Sequence, residues 1–297
     1  MIPADETFEG NWPFAPRFRD APGFRQHYID EGSGRPVLLL HGQPTWGYIY
    51  RNFIRPLAAT HRVVVPDHMG FGKSETPPGG EYTLRTHVAN LTALIEQLDL
   101  RDITLVMQDW GGPIGTGYAV RHPERIHSLV YMNTVQGYGA AGRRDLPDLT
   151  ESPWFRWIRE GLPTGRTEAV LSQLGSTILS VMQIVGLERL DRVNPTFIRA
   201  YAAPFPTPAD CKGAIAFPLD VALGRIRDFV REGVGGVPAI REKPALLIEG
   251  MLDRAIPSAL ALADFAGLWP KAPVIQVAGA GHYIQEDAPE IVVPALQ

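Results

Sequence analysis

Ile103-Thr-Leu-Val-Met-Gln-Asp109-Trp-Gly-Gly-Pro113 starts as a β-branched, apolar run, stops at a carboxylate and continues at once into glycines. An apolar run without polar alternation suits a strand covered on both faces. The glycines that follow permit a sharp turn and a helix packed close to that strand. The segment therefore reads as strand, elbow and helix start, with Asp109 lifted at the strand tip. An elbow of this kind presents a nucleophile. A carboxylate in that place is suited to displacing a leaving group from saturated carbon, which leaves an ester on the enzyme.

Outward from this segment, short apolar runs alternate with helical patterns, the signature of a mainly parallel sheet covered by helices. The pattern predicts strands over 25–30, 36–41, 62–66, 103–108, 127–133, 244–249 and 273–278. Leu84, Val88, Leu91, Ile95 and Leu98 recur at steps of four and three, which gives one helical stripe to pack on the sheet. From about Val135 to Gly213 the strand signal stops, and helical patterns near 153–160, 167–174 and 176–190 and the stretch Ala203-Pro-Phe-Pro-Thr-Pro208 replace it. The expected organisation is an α/β core made of residues 1–134 and 214–297, with a helical cap, 135–213, inserted between them.

Bulk properties exclude several classes. The 297 residues are 45% apolar and 20% charged with a net charge of −4, so no basic face is offered to nucleic acid. Cys211 is the sole cysteine, which rules out an intrachain disulfide and fits a reducing compartment. Met1-Ile-Pro-Ala-Asp-Glu-Thr-Phe-Glu-Gly10 has neither the basic nor the apolar region of a secretion signal. No stretch approaches the roughly 20 apolar residues of a membrane span. A cytoplasmic protein without a membrane partner, a monomer or weak homo-oligomer, is expected.

Three positions, each just after a predicted strand, carry reactive groups: Asp109, Asp253 in Leu247-Ile-Glu-Gly-Met-Leu-Asp253, and His282 in Ala278-Gly-Ala-Gly-His-Tyr283. In open α/β sheets ligands gather at the carboxyl ends of the strands, so loops distant in sequence meet there. Asp109 needs no base to become a nucleophile, because a carboxylate is ionised at neutral pH. His282 is then wanted for a second step, taking a proton from the water that attacks the ester. Asp253 would accept the other imidazole N–H and hold the tautomer. An aspartate at a strand-to-helix junction is also a common helix cap, and Asp253 admits that reading. His61, His68, His87, His122 and His127 read as surface or helix-end residues, and no metal-binding spacing is present.

After Val37-Leu-Leu-Leu40, the turn His41-Gly-Gln-Pro-Thr-Trp46 offers the backbone N–H of Gln43, and the elbow that of Trp110, to an oxyanion. Gly70-Phe-Gly-Lys-Ser74 is not a nucleotide loop, because Asp67 stands where a P-loop needs glycine.

At these residues the chain resembles the haloalkane dehalogenases of the α/β-hydrolase superfamily. The resemblance is carried by His41-Gly-Gln-Pro-Thr-Trp46, Tyr48-Ile-Tyr-Arg51, Pro66-Asp-His-Met-Gly-Phe-Gly-Lys-Ser74, Gln108-Asp-Trp-Gly-Gly112, Tyr201-Ala-Ala-Pro-Phe-Pro206, Gly250-Met-Leu-Asp253 and Gly281-His-Tyr-Ile-Gln-Glu-Asp287. It implies displacement of halide from a small halogenated hydrocarbon by Asp109, then hydrolysis by water to an alcohol, without a cofactor. Some members take the triad acid from a Glu after the strand that follows the elbow helix. Here Asn133, in Leu129-Val-Tyr-Met-Asn133, holds that place, so the acid is expected at Asp253. A departing halide needs N–H donors in a dry pocket. The resemblance assigns Trp110 as the first donor. The second is sought at Trp157 in Pro153-Trp-Phe-Arg-Trp157, with Trp154 and the Gln43 side chain as alternatives, and packing of a cap helix accounts equally for the two tryptophans. An epoxide hydrolase with the same nucleophile and cap tyrosines such as Tyr138 or Tyr201 is the nearest rival. A noncatalytic ligand-binding protein on the same fold is the other.

Overall fold

The computed structural model describes residues 2–140, 145–146 and 148–297; residues 141–144 and 147, within the expected cap, lie outside the described residues. Eight strands form one sheet: β1 (Arg17–Ala21), β2 (Phe24–Gly32), β3 (Pro36–Leu40), β4 (Arg62–Pro66), β5 (Ile103–Gln108), β6 (Ile126–Met132), β7 (Ala245–Gly250) and β8 (Val274–Val277). Their order is β1-β2-β4-β3-β5-β6-β7-β8. The hairpin β1–β2 joins β4 antiparallel, and every pair from β4 to β8 is parallel. Val37–Leu40, Val63–Val65, Leu105–Met107 and Leu129–Met132 are buried, as their unbroken apolar runs require. Truncating one of them, Leu105 for instance, to Ala costs about 2–5 kcal/mol.

The sheet bears out the expected α/β-hydrolase class, with one strand not anticipated. β1 carries Arg17, Arg19 and Asp20 and has no apolar alternation to reveal it. It exists because Pro22-Gly23 turns the chain back so that Ala21 pairs with Phe24 and Arg17 with Tyr28.

Helices α1 (Arg51–Ala58), α2 (Leu84–Gln97) and α3 (Gly111–Ala119) follow β3, β4 and β5. The expected stripe of α2 is buried at Leu84, Val88, Leu91 and Ile95, and Thr83 caps the helix by accepting Thr86 N–H at 3.2 Å. Between β6 and β7 the described residues hold only helices: α4 (Pro153–Gly161), α5 (Arg166–Leu171), α6 (Leu174–Val185), α7 (Pro195–Ala202), α8 (Lys212–Ala222), α9 (Arg227–Glu232) and α10 (Val237–Arg241), with short 3-10 turns. α8 runs through the boundary expected at 213/214 and packs on α4. α6 ends at Val185 rather than near 190, because Gly186 has φ 135 and cannot extend the helix. α11 (Ser258–Leu268), α12 (Ile284–Asp287) and α13 (Pro289–Leu296) complete the chain. No described helix is long and apolar enough to cross a membrane.

Candidate active site

β5 and its elbow place Asp109 at the carboxyl edge of the sheet, beside its centre. The residue has φ 50, a left-handed conformation that a non-glycine residue holds only at some cost. The turn after β3 meets it there. Gln43 N–H donates to Asp109 Oδ1 at 2.7 Å, and a Cβ on Gly42 would lie 2.2 Å from that oxygen, so only glycine lets the two loops approach so closely. Thr134 Oγ1 donates to the Asp109 carbonyl at 2.5 Å and pins the elbow from the end of β6.

The structure brings the two other expected residues to this point. His282 Nε2 lies 3.4 Å from Asp109 Oδ2, and His282 Nδ1 lies 2.8 Å from Asp253 Oδ2. The side chains are 14% (Asp109), 1% (His282) and 0% (Asp253) exposed, so the relay is shielded from water and only the nucleophile has an open side. Burial alone would lower the His282 pKa. The charge and hydrogen bonds of Asp253 and Asp109 outweigh it and push the pKa up to about 10. A pKa near 10 leaves the resting imidazole protonated at neutral pH.

Asp253 is not a helix cap. Its Oδ1 accepts the N–H groups of Ala255 (2.8 Å) and Ile256 (2.9 Å), which shape its own loop, while Oδ2 faces His282. Asn133, at φ 44 after β6, donates from Nδ2 to Asp253 Oδ2 at 3.0 Å and to Gly250 O at 3.0 Å. Its role as a donor to the acid was not anticipated; the tolerance of Asn for left-handed φ was the available signal. Glu249, buried on β7, has its pKa raised well above its ordinary value by burial and then by the charge of Asp253.

A cavity of about 30 Å³ opens onto Asp109, lined also by Trp110, Thr134, Leu149, Phe155 and Val221. It has room for about two water molecules. Trp110 is buried and stacks on Phe217 of α8, with ring centres 4.3 Å apart and planes 12° apart. Its indole Nε1 makes no hydrogen bond among the described residues. The other proposed donors are placed elsewhere. Trp157 is half-buried and stacks on Trp154 (5.5 Å), and it is Phe155 of α4 that reaches the cavity wall. Gln43 spends its side-chain N–H on Ala214 O at 3.0 Å, so its backbone, not its amide, faces Asp109. Tyr138 donates its hydroxyl to Val230 O and Tyr201 to Glu286, away from the cavity.

Two histidines depart from expectation. His68 and His87 are buried, not at the surface, and burial lowers both pKa values, that of His87 to about 3. They pack with His41 and Phe217 in an aromatic layer beneath the turn and α8. Among the described residues no group of His, Cys, Asp and Glu is arranged to hold a metal.

Comparison with known proteins finds relatives over nearly the whole chain. Residues 35–289 match the family described as alpha/beta hydrolase fold. The chain is 36% identical over 292 residues to a cis-3-alkyl-4-alkyloxetan-2-one decarboxylase of Shewanella oneidensis (96% of this chain, 88% of the relative). It is 35% identical over 298 residues to a haloalkane dehalogenase of Mycobacterium marinum (94% of this chain, 92% of the relative). Among solved structures, the haloalkane dehalogenase DatA of Agrobacterium tumefaciens superposes with a TM-score of 0.78 at 27% identity, covering 95% of this chain and 94% of that one. With the Asp-His-Asp geometry on an eight-stranded sheet and these relatives along nearly its whole length, the chain belongs to the haloalkane dehalogenase family of α/β-hydrolase enzymes.

Proposed function

We propose that the protein hydrolyses carbon–halogen bonds through an alkyl ester on Asp109. The observation that carries the reading is the division of labour between the two carboxylate oxygens. Oδ1 is held by Gln43 N–H, while Oδ2 faces His282 beside a largely apolar cavity. Oδ2 attacks the halogen-bearing carbon, the carbon–halogen bond breaks, and the halide leaves with the electron pair. Trp110 Nε1–H donates to that growing charge, and a donor that meets charge as it develops accelerates the step. Oδ1 becomes the ester carbonyl oxygen and keeps its Gln43 donor, joined by the Trp110 backbone N–H. Esterification also removes the negative charge that held the proton on His282. The imidazole gives that proton up to solvent, balancing the halide released, and then takes one from the water attacking the ester carbonyl, while Asp253 stabilises the imidazolium. The tetrahedral species collapses to release the alcohol and restore the Asp109 carboxylate.

In this reading the helices from α4 to α8 act as the cap, water and a small halogenated hydrocarbon are the partners, and side chains and water supply every step. Support for the epoxide alternative is weak, since both candidate tyrosines are hydrogen-bonded elsewhere. The noncatalytic alternative is disfavoured by the close approach of all three reactive groups.

The decarboxylase of Shewanella oneidensis favours a second reading. Asp109 would attack the saturated ring carbon that bears the ring oxygen in a dialkyl oxetan-2-one, breaking that carbon–oxygen bond to leave an alkyl ester bearing a free carboxylate. Loss of carbon dioxide would then send its electron pair into a new C=C bond and expel Asp109. That route consumes no water.

The test is product analysis with two variants. Bromide release from 1-bromoalkanes, abolished in Asp109→Asn and arrested after one turnover as a mass adduct in His282→Gln, is expected. Alkene and carbon dioxide from a cis-dialkyl oxetanone, with His282→Gln still turning over and no bromide released, would assign the second reading.

A further inference from the structure

Asp253 and His282 arrive on separate loops, after β7 and before α12, and a stretch of the helical insertion joins those loops. Arg254, next to the acid, reaches the end of α6. Its Nη2 donates to Gln183 O (2.6 Å), its Nε to Ile184 O (3.2 Å) and its backbone N–H to Val185 O (3.1 Å), while Nη1 pairs with Glu188 at 2.6 Å. A cation at these carbonyls satisfies the unbonded end of the helix and its dipole.

The same stretch continues to the base. Asp287, 2% exposed, accepts Glu188 N–H (3.0 Å) and Arg189 N–H (2.9 Å) on Oδ1 and Gly281 N–H (2.8 Å) on Oδ2. Gly281 immediately precedes His282, and Tyr283 N–H donates to Gly186 O at 3.3 Å. A Cβ on Gly186 would sit 2.8 Å from His282 N at a φ of 135, so the chain passes against the base loop without space for a side chain. Buried amides paired with a carboxylate hold position more firmly than neutral hydrogen bonds do.

We propose that residues 183–189, clamped by Arg254 and Asp287, form a positioning element that sets His282 against Asp253. The helical insertion then governs the water-dependent step as well as covering the cavity. Arg254 and Asp287 act through His282 and touch no reacting atom. The kinetic part of this inference rests on the two-step reading above; the geometric part does not.

The test follows the low-field Nδ1–H resonance of His282, identified by its loss in His282→Gln, in wild type, Arg254→Met and Asp287→Asn. Single-turnover halide release and the Asp109 adduct are followed in parallel with a 1-bromoalkane. In both variants the Nδ1 proton is expected to exchange with solvent about tenfold faster, and ester hydrolysis to slow about tenfold relative to ester formation, as when a hydrogen bond to a charged group is lost. A resonance and a step ratio unchanged in folded Arg254→Met overturn the proposal. Arg254 is 44% exposed, so this variant decides the matter if Asp287→Asn does not fold. A resonance that responds while His282→Gln forms no adduct on Asp109 upholds the positioning role and removes the two-step reading instead.

Discussion

Asn133 and His282 bind the same carboxylate oxygen: Asp253 Oδ2 lies 3.0 Å from Asn133 Nδ2 and 2.8 Å from His282 Nδ1. The acid is thus steered from β6 as well as from its own loop. Asn133→Ala removes a donor to a buried carboxylate, worth about 1.5–3 kcal/mol for a charged partner. Ester hydrolysis should fall about tenfold or more while the halide burst persists. Because the two side chains touch, exchanging them in Asn133→Asp with Asp253→Asn should recover activity relative to Asp253→Asn alone. Equal rates for the double and single variants would show that the acid works only from the β7 loop.

The raised pKa of His282 has a calculable sign. A pKa lifted from 6.5 to about 10 contributes stability that is fully present below pH 6.5 and lost as pH rises through about 10. Wild type should lose thermal stability across that window, and His282→Gln should not. Ester formation should be flat across neutral pH, since displacement needs no neutral imidazole. Hydrolysis should show a limb well below pH 10, because the ester lacks the Asp109 charge that helps raise the pKa. A hydrolytic limb at pH 10 in stopped-flow traces would mean that Asp109 does not tune the base.

Trp110 and Trp157 should separate cleanly. Trp110→Phe removes the indole N–H proposed to hold the halide, and bromide should inhibit turnover about tenfold or more less tightly. Trp157→Phe keeps the ring that stacks on Trp154 and should change bromide inhibition by less than about twofold. Comparable losses in the two variants would place Trp157 at the halide after all.

Phe155, Leu149 and Val221 line the cavity that opens onto Asp109. Phe155→Ala should lower KM for long 1-bromoalkanes relative to short ones, with a loss of up to about 3–5 kcal/mol in stability. A chain-length profile identical to wild type would exclude Phe155 from substrate selection.

Seven of the eight strands, the α2 stripe and the three reactive positions were legible because each is a local pattern. Apolar runs mark buried strands, heptad-like spacing marks a packed helix face, and Asp109, Asp253 and His282 each stand just past such a run. β1 was hidden, since an exposed edge strand is made by its partner and not by its own residues.

What the sequence alone determined was seven strands of the sheet, the elbow and the reactive groups offered just past the strands, because these depend on neighbours within a few residues. Only the tertiary structure decided that Asn133 donates to Asp253, that Trp157 stacks on Trp154 while Phe155 lines the cavity, and that residues 183–189 bind the loops that carry Asp253 and His282. Those relationships depend on where helices of the insertion come to rest on the sheet. An amphipathic pattern specifies which face of a helix is buried but not the partner that covers it.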